Sequence, residues 1–129
     1  RDYKVTGVQT CALPILIRIF HDCIAKRIPV YIITARVGYP QVIEATVDEL
    51  GSHGIRGYQT ILFLSPRYLQ HFGNTVDTIV NSKKDARLSV KNNHNIALSI
   101  GDEIWDLEPT AFLNVLLRPN SIMQVYQKL

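Results

Sequence analysis

The chain has 129 residues, and its 14 basic and 11 acidic side chains are interspersed rather than blocked, leaving a formal charge of +3. A charge that small gives no footing for nucleic-acid or membrane-surface binding. With 47% hydrophobic residues the chain can bury one core, and no apolar run approaches the length of a membrane span.

The first stretch, Val5 to Ile15 (VTGVQTCALPI), keeps neither the strand period of two nor the helical period of 3.6. It resembles, letter for letter, one reading frame of a widely used short-read sequencing adapter, with Arg1-Asp2 supplied by the preceding bases and Tyr3-Lys4 by the index. Residues 1–15 are therefore expected to be a non-native segment, and residues 16–129 an α/β core truncated at its N-terminal side. Without Arg1, Asp2 and Lys4 the formal charge falls by one, and Cys23 is left with no second thiol to pair with. The compartment stays open.

From Leu16 the spacing predicts an amphipathic helix, with Leu16, Ile19, Phe20, Cys23 and Ile24 on one face and Pro29 beyond its end. VYIITA is a short β-branched run, the mark of a strand buried on both faces. PQVIEATVDELGSHG reads as a helix with Pro40 in its first turn and Gly51 or Gly54 near its stop. TILFLS is a second buried strand stopped by Pro66, and Arg67 to Ser82 reads as mixed and loop-like, with weak helical tendency at Val76 to Val80. Residues 83–92 then read as a helix, NIALSIG as a third strand and FLNVLLRP as a fourth. This alternation predicts an α/β fold with a doubly wound parallel sheet.

In such sheets ligands gather beyond the carboxyl ends of the strands. The first strand runs into Ile33-Thr34-Ala35-Arg36, a hydroxyl at a strand tip followed by backbone N–H groups able to face an anion. The bland alternative is a strand-end Thr beside a solvated Arg. The third strand runs into Gly101-Asp102-Glu103-Ile104-Trp105-Asp106, where Asp102 and Asp106 can converge on a hard cation or simply cap a polar turn. Ser82-Lys83-Lys84-Asp85-Ala86-Arg87 places a lysine at a helix start, within reach of the same rim or on a solvated face. The histidines at 21, 53, 71 and 94 show no metal-ligand spacing, and Trp105 is expected to pack against the sheet.

Taken in order, IPVYIITAR, then KKDAR, then NIALSIGDEIWDL resembles the second, third and fourth motifs of the haloacid dehalogenase-like superfamily of phosphohydrolases. The nearest likeness is to the branch of plant-type and class B acid phosphatases and vegetative storage proteins, through Leu62-Phe63-Leu64 and, less faithfully, Leu117-Arg118-Pro119-Asn120. The resemblance implies a Mg²⁺-dependent phosphatase that hydrolyses phosphomonoesters through an aspartyl-phosphate, acting on a phosphorylated small molecule. By similarity, Thr34 and the Ala35 N–H hold the phosphoryl group, Arg36 contacts substrate, and Lys83, preferred to Lys84 for its spacing from Arg87, neutralises charge. Asp102 and Asp106 are the implied metal ligands. The superfamily's first motif, a strand ending Asp-x-Asp, has no match here: Asp2 has no partner two residues on and Asp22 falls on the first helix. The resemblance therefore implies a Rossmann-like sheet lacking its central first strand, between the strands of Thr34 and Gly101, and a chain inactive as given. A non-catalytic storage or binding relative of the same fold is the alternative.

Overall fold

The computed structural model describes residues 13–118 and 123–128. Most of the adapter-like segment lies outside the described residues, as do Pro119 and Asn120 of the proposed branch signature.

Among the described residues there are four α-helices and five strands: α1 (Leu13–Ala25), β1 (Tyr31–Val37), α2 (Pro40–Ser52), β2 (Thr60–Leu64), α3 (Pro66–Phe72), α4 (Val76–Lys91), β3 (Leu98–Gly101), β4 (Leu113–Leu116) and β5 (Gln124–Gln127). The fold is mixed α/β with parallel pairing of β1 with β2 and of β3 with β4. Where the sequence predicts a doubly wound sheet lacking its central first strand, the described strands form two sheets, β1-β2 and β3-β4-β5, and no described strand joins β1 to β3. A further departure is β5, which pairs antiparallel with β4 and closes that sheet's outer edge.

Two helices differ from the sequence expectation for a local reason. Pro66 does not merely stop β2. The Ser65 hydroxyl accepts a hydrogen bond from the Tyr68 N–H, and Pro66 occupies the first helical position, so the pair starts α3. Thr75 likewise accepts from the Thr78 N–H at 3.1 Å, so α4 begins at Val76 and runs unbroken to Lys91. Lys83 therefore sits in the middle of a long helix rather than at a helix start.

The core is divided in the same way as the sheets. Phe20 of α1 packs with Leu50 of α2 and Ile55, joined by Ile32 and Ile61 of the first sheet. Leu16, one turn earlier, packs with Val115, Leu117, Leu98 and Ile100 of the second sheet. One amphipathic helix therefore serves both sheets, as the spacing of Leu16 and Phe20 on one face requires. At the end of α2 the chain reverses through Gly54, whose φ of 74° suits a residue without a Cβ.

Candidate functional site

The site is built from three places in the chain. In β1 the ladder with β2 is regular from Tyr31 to Ile33, then shifts register and resumes at Val37. Thr34 to Arg36 therefore form an irregular stretch inside the strand rather than its tip. Thr34 is buried, and its Oγ1 accepts a hydrogen bond from the Arg36 N–H at 3.1 Å. This backbone donor, expected to face an anion, is thus occupied by the hydroxyl beside it. The Arg36 guanidinium turns to α2, reaching Thr46 Oγ1 at 3.1 Å and Glu49 at 2.9 Å.

The second contribution is the buried stripe of α4. Lys83, Arg87 and Val90 recur at helical spacing and all three are buried, whereas Lys84 is exposed. The third is the loop after β3. Gly101 is followed by a short 3-10 turn, Ile104–Asp106, closed by a reciprocal capping box between Glu103 and Asp106. A Cβ on Gly101 would run into the Asp106 side chain, so glycine is what lets this carboxylate fold back over the strand end. Arg118 donates from Nε to the Asp102 carbonyl at 2.9 Å and ties this turn to the end of β4.

Two partners meet across these elements. Lys83 Nζ donates to Asp106 Oδ1 at 2.6 Å, and both side chains are about one-tenth exposed. Burial alone would raise the Asp106 pKa. The hydrogen bond and charge of Lys83, a side-chain hydrogen bond with Asp102 and the Glu103 N–H outweigh it and hold the carboxyl below its ordinary range. A turn further along α4, Arg87 donates to the Trp105 carbonyl at 3.0 Å and faces Glu108, which Lys91 also reaches at 3.3 Å.

Thr34, Arg36, Lys83, Asp102 and Asp106 all line one cavity of about 360 Å³ between β1 and β3. Ala35, between two of them, does not line it. The arrangement sets a hydroxyl and a buried ammonium, donors suited to an oxyanion, beside two carboxylates around one concave, otherwise largely apolar space. The carboxylates fit a hard cation such as Mg²⁺, which takes one or two protein carboxylates and completes its shell with water and phosphate oxygens. Among the described residues, no three His, Cys, Asp or Glu side chains gather to hold a metal on their own.

The sequence reading missed Glu108, a buried carboxylate that accepts from Thr110 N and Oγ1 while its backbone N–H donates to Asn114 Oδ1 at 3.0 Å. A signal was available only in combination, since Lys83, Arg87 and Lys91 stand four apart on one helix and each cation needs a counter-charge. Trp105 is another correction. It is 38% exposed, on the short turn whose Asp106 meets Lys83.

No family model, curated protein or solved structure matches this chain.

Proposed function

We propose that this chain is the phosphate-binding part of a haloacid dehalogenase-like phosphohydrolase, with phosphorylated small molecules as its substrate class. The observation that carries the reading is the convergence of Thr34, Lys83, Asp102 and Asp106, distant in sequence, on one cavity. Lys83 is the fixed positive charge for phosphoryl oxygens, Thr34 a hydroxyl donor beside them, and Asp102 with Asp106 the carboxylates that would hold Mg²⁺. When bound, Mg²⁺ supplies charge neutralisation at the phosphoryl oxygens. Lys83 also pairs with the Asp106 carboxylate and favours its charged form.

No strand ending in Asp-x-Asp occurs in this sequence, so the chain binds phosphate without turning it over. Isothermal calorimetry of the full chain with inorganic phosphate, with and without Mg²⁺, tests the reading. Phosphate binding that needs Mg²⁺ and is lost in Lys83→Met and in Asp102→Asn is the expected result. Binding that ignores Mg²⁺, or that survives both substitutions, overturns it.

A further inference from the structure

We propose that Arg87 and Arg118 are positioning residues for the turn that carries Asp102 and Asp106. Each guanidinium grips one main-chain carbonyl of that turn, and together they fix where both carboxylates stand before any ligand arrives. Their effect on ligand affinity rests on the phosphate-binding reading; their grip on the turn does not.

Left to itself the turn is weak. It contains a single 3-10 turn, Ile104–Asp106, after the short strand β3. Its internal ties are the Asp106 N–H to the Glu103 carbonyl at 2.9 Å, the Leu107 N–H to the Ile104 carbonyl at 3.1 Å, and the capping box of Glu103 and Asp106. One isolated turn fixes many dihedral angles for few hydrogen bonds. Carboxylates on such a segment keep their places only if other elements hold its main chain.

Those elements are α4 and the end of β4. Arg118 Nε donates to the Asp102 carbonyl at 2.9 Å, and Arg87 Nη1 donates to the Trp105 carbonyl at 3.0 Å. The Leu117 N–H, beside Arg118, donates to the Gly101 carbonyl at 2.8 Å and starts the grip one residue earlier. From Gly101 to Trp105 every main-chain carbonyl thus accepts a hydrogen bond, and Leu117, Arg118 and Arg87 supply theirs from outside the turn. The two guanidinium bonds are charge-assisted and so are the stronger ties. They bracket the turn, one on the residue of each end, and set the path of the chain between the two acids.

Arg87 is itself held in place. Its Nε stands 3.5 Å from Glu108 Oε1, and Glu108 is pinned by Thr110, by Lys91 and by Asn114 of β4, whose Nδ2 donates to the Glu108 carbonyl at 2.8 Å. Glu108 and Asn114 are both buried, so the line Asn114–Glu108–Arg87–Trp105 runs from a core strand through α4 to the turn. Arg87 lies one helical turn from Lys83, which meets Asp106 directly. Helix α4 therefore touches the turn twice, once at the main chain and once at a carboxylate. Partners that orient a ligating carboxylate are typically worth about tenfold to a hundredfold in metal affinity.

The test uses the full chain, in which Trp105 is the only tryptophan and stands between the two acids. Time-resolved fluorescence anisotropy of Trp105 reads the freedom of the turn with no ligand present, and calorimetry reads the Mg²⁺ concentration that half-saturates phosphate binding. Arg87→Met and Arg118→Met are each expected to enlarge the fast, local part of the anisotropy decay with overall tumbling unchanged, and to raise the Mg²⁺ requirement about tenfold. Arg87→Lys, which keeps one charged donor, is expected to recover part of both, and Lys84→Met, an exposed change on the same helix, to alter neither. Arg118 is less buried than Arg87, so Arg118→Met keeps the test decisive if Arg87→Met fails to fold. A Trp105 as restrained in both Met variants as in the parent chain overturns the proposal, because the turn then holds itself. A loosened turn with an unchanged Mg²⁺ requirement overturns it as well, since the grip then does nothing for the carboxylates. A parent chain that binds no phosphate ends the phosphate-binding reading alone, and the anisotropy then decides between a gripped and a self-supporting turn.

Discussion

Lys83 and Asp106 form a buried ion pair with an N–O separation of 2.6 Å, linking the middle of α4 to the turn that follows β3. Removing one partner of such a pair strands the other without compensation, at a cost of about 3–5 kcal/mol, whereas replacing both by apolar groups restores much of the loss. Lys83→Met is accordingly expected to lower the unfolding free energy by about 3 kcal/mol, and Lys83→Met with Asp106→Leu to recover most of it. Urea denaturation of the two single variants and the double variant measures the coupling, and strict additivity would contradict it.

Stability toward acid is expected to be governed largely by Glu108. Burial opposes its ionisation, but hydrogen bonds from Thr110 and the contact with Lys91 prevail and bring its pKa from 4.5 down to about 2. A carboxyl whose folded pKa is depressed stabilises the protein above its unfolded pKa, and that contribution is lost as pH falls through the folded value. The loss attributable to Glu108 should run from about pH 5 to about pH 2 and amount to roughly 3 kcal/mol. Asp106, also shifted down, adds to the decline in the same direction. Denaturation curves at stepped pH read the slope, and Glu108→Gln should flatten it.

Gly101 is expected to be intolerant of even the smallest side chain. Alanine there collides with Asp106, so the carboxylate or the turn carrying it must shift. Overpacking of this kind costs about 1–3 kcal/mol. Thermal unfolding of Gly101→Ala checks the stability, and calorimetry with Mg²⁺ and phosphate checks whether the displaced carboxylate weakens the site.

In the first sheet, Leu50 is fully buried against Phe20 and Ile55. Leu50→Ala should cost about 2–5 kcal/mol through lost transfer energy and the cavity left behind. An unchanged denaturation midpoint would show that the packing of α1 on α2 contributes little.

The purified chain is expected to hydrolyse no aryl phosphate in the presence of Mg²⁺. Turnover that disappears on Asp102→Asn would show that a nucleophile other than an Asp-x-Asp strand end is at work.

The parts of the fold that were legible are those where period and composition agree, such as the apolar stripe of α1 and the β-branched runs of β1, β2 and β3. What escaped was decided by single hydrogen bonds or by distant partners. Ser65 and Thr75 each start a helix through one side-chain oxygen, so α3 and the first half of α4 read as loop. β5 is exposed along its whole length and so has no alternation against a core to announce it. Thr34 and Gly101-Asp102 stood out because strand ends in α/β folds are where polar chemistry belongs. Each strand's own pattern is the same whether its second edge is paired or not, so the expectation of a missing central strand between the strands of Thr34 and Gly101 came from the resemblance and not from the strands themselves. The Arg36 N–H shows a further limit, because the register shift that delivers it to Thr34 Oγ1 has no local sequence mark.

The sharing of α1 between the two sheets has a kinetic consequence. β1-α2-β2 is completed between residues 31 and 64, and β3-β4-β5 between residues 98 and 127, so each sheet closes through contacts fairly near in sequence. Joining them falls to α4, which packs on β1, β2 and the turn after β3, and to α1, which reaches Val115 and Leu117. Loop closure from Leu16 to Val115 spans far more of the chain than the contacts of α4 and is the slow kind, so the docking of α1 follows the packing of α4 between the two sheets.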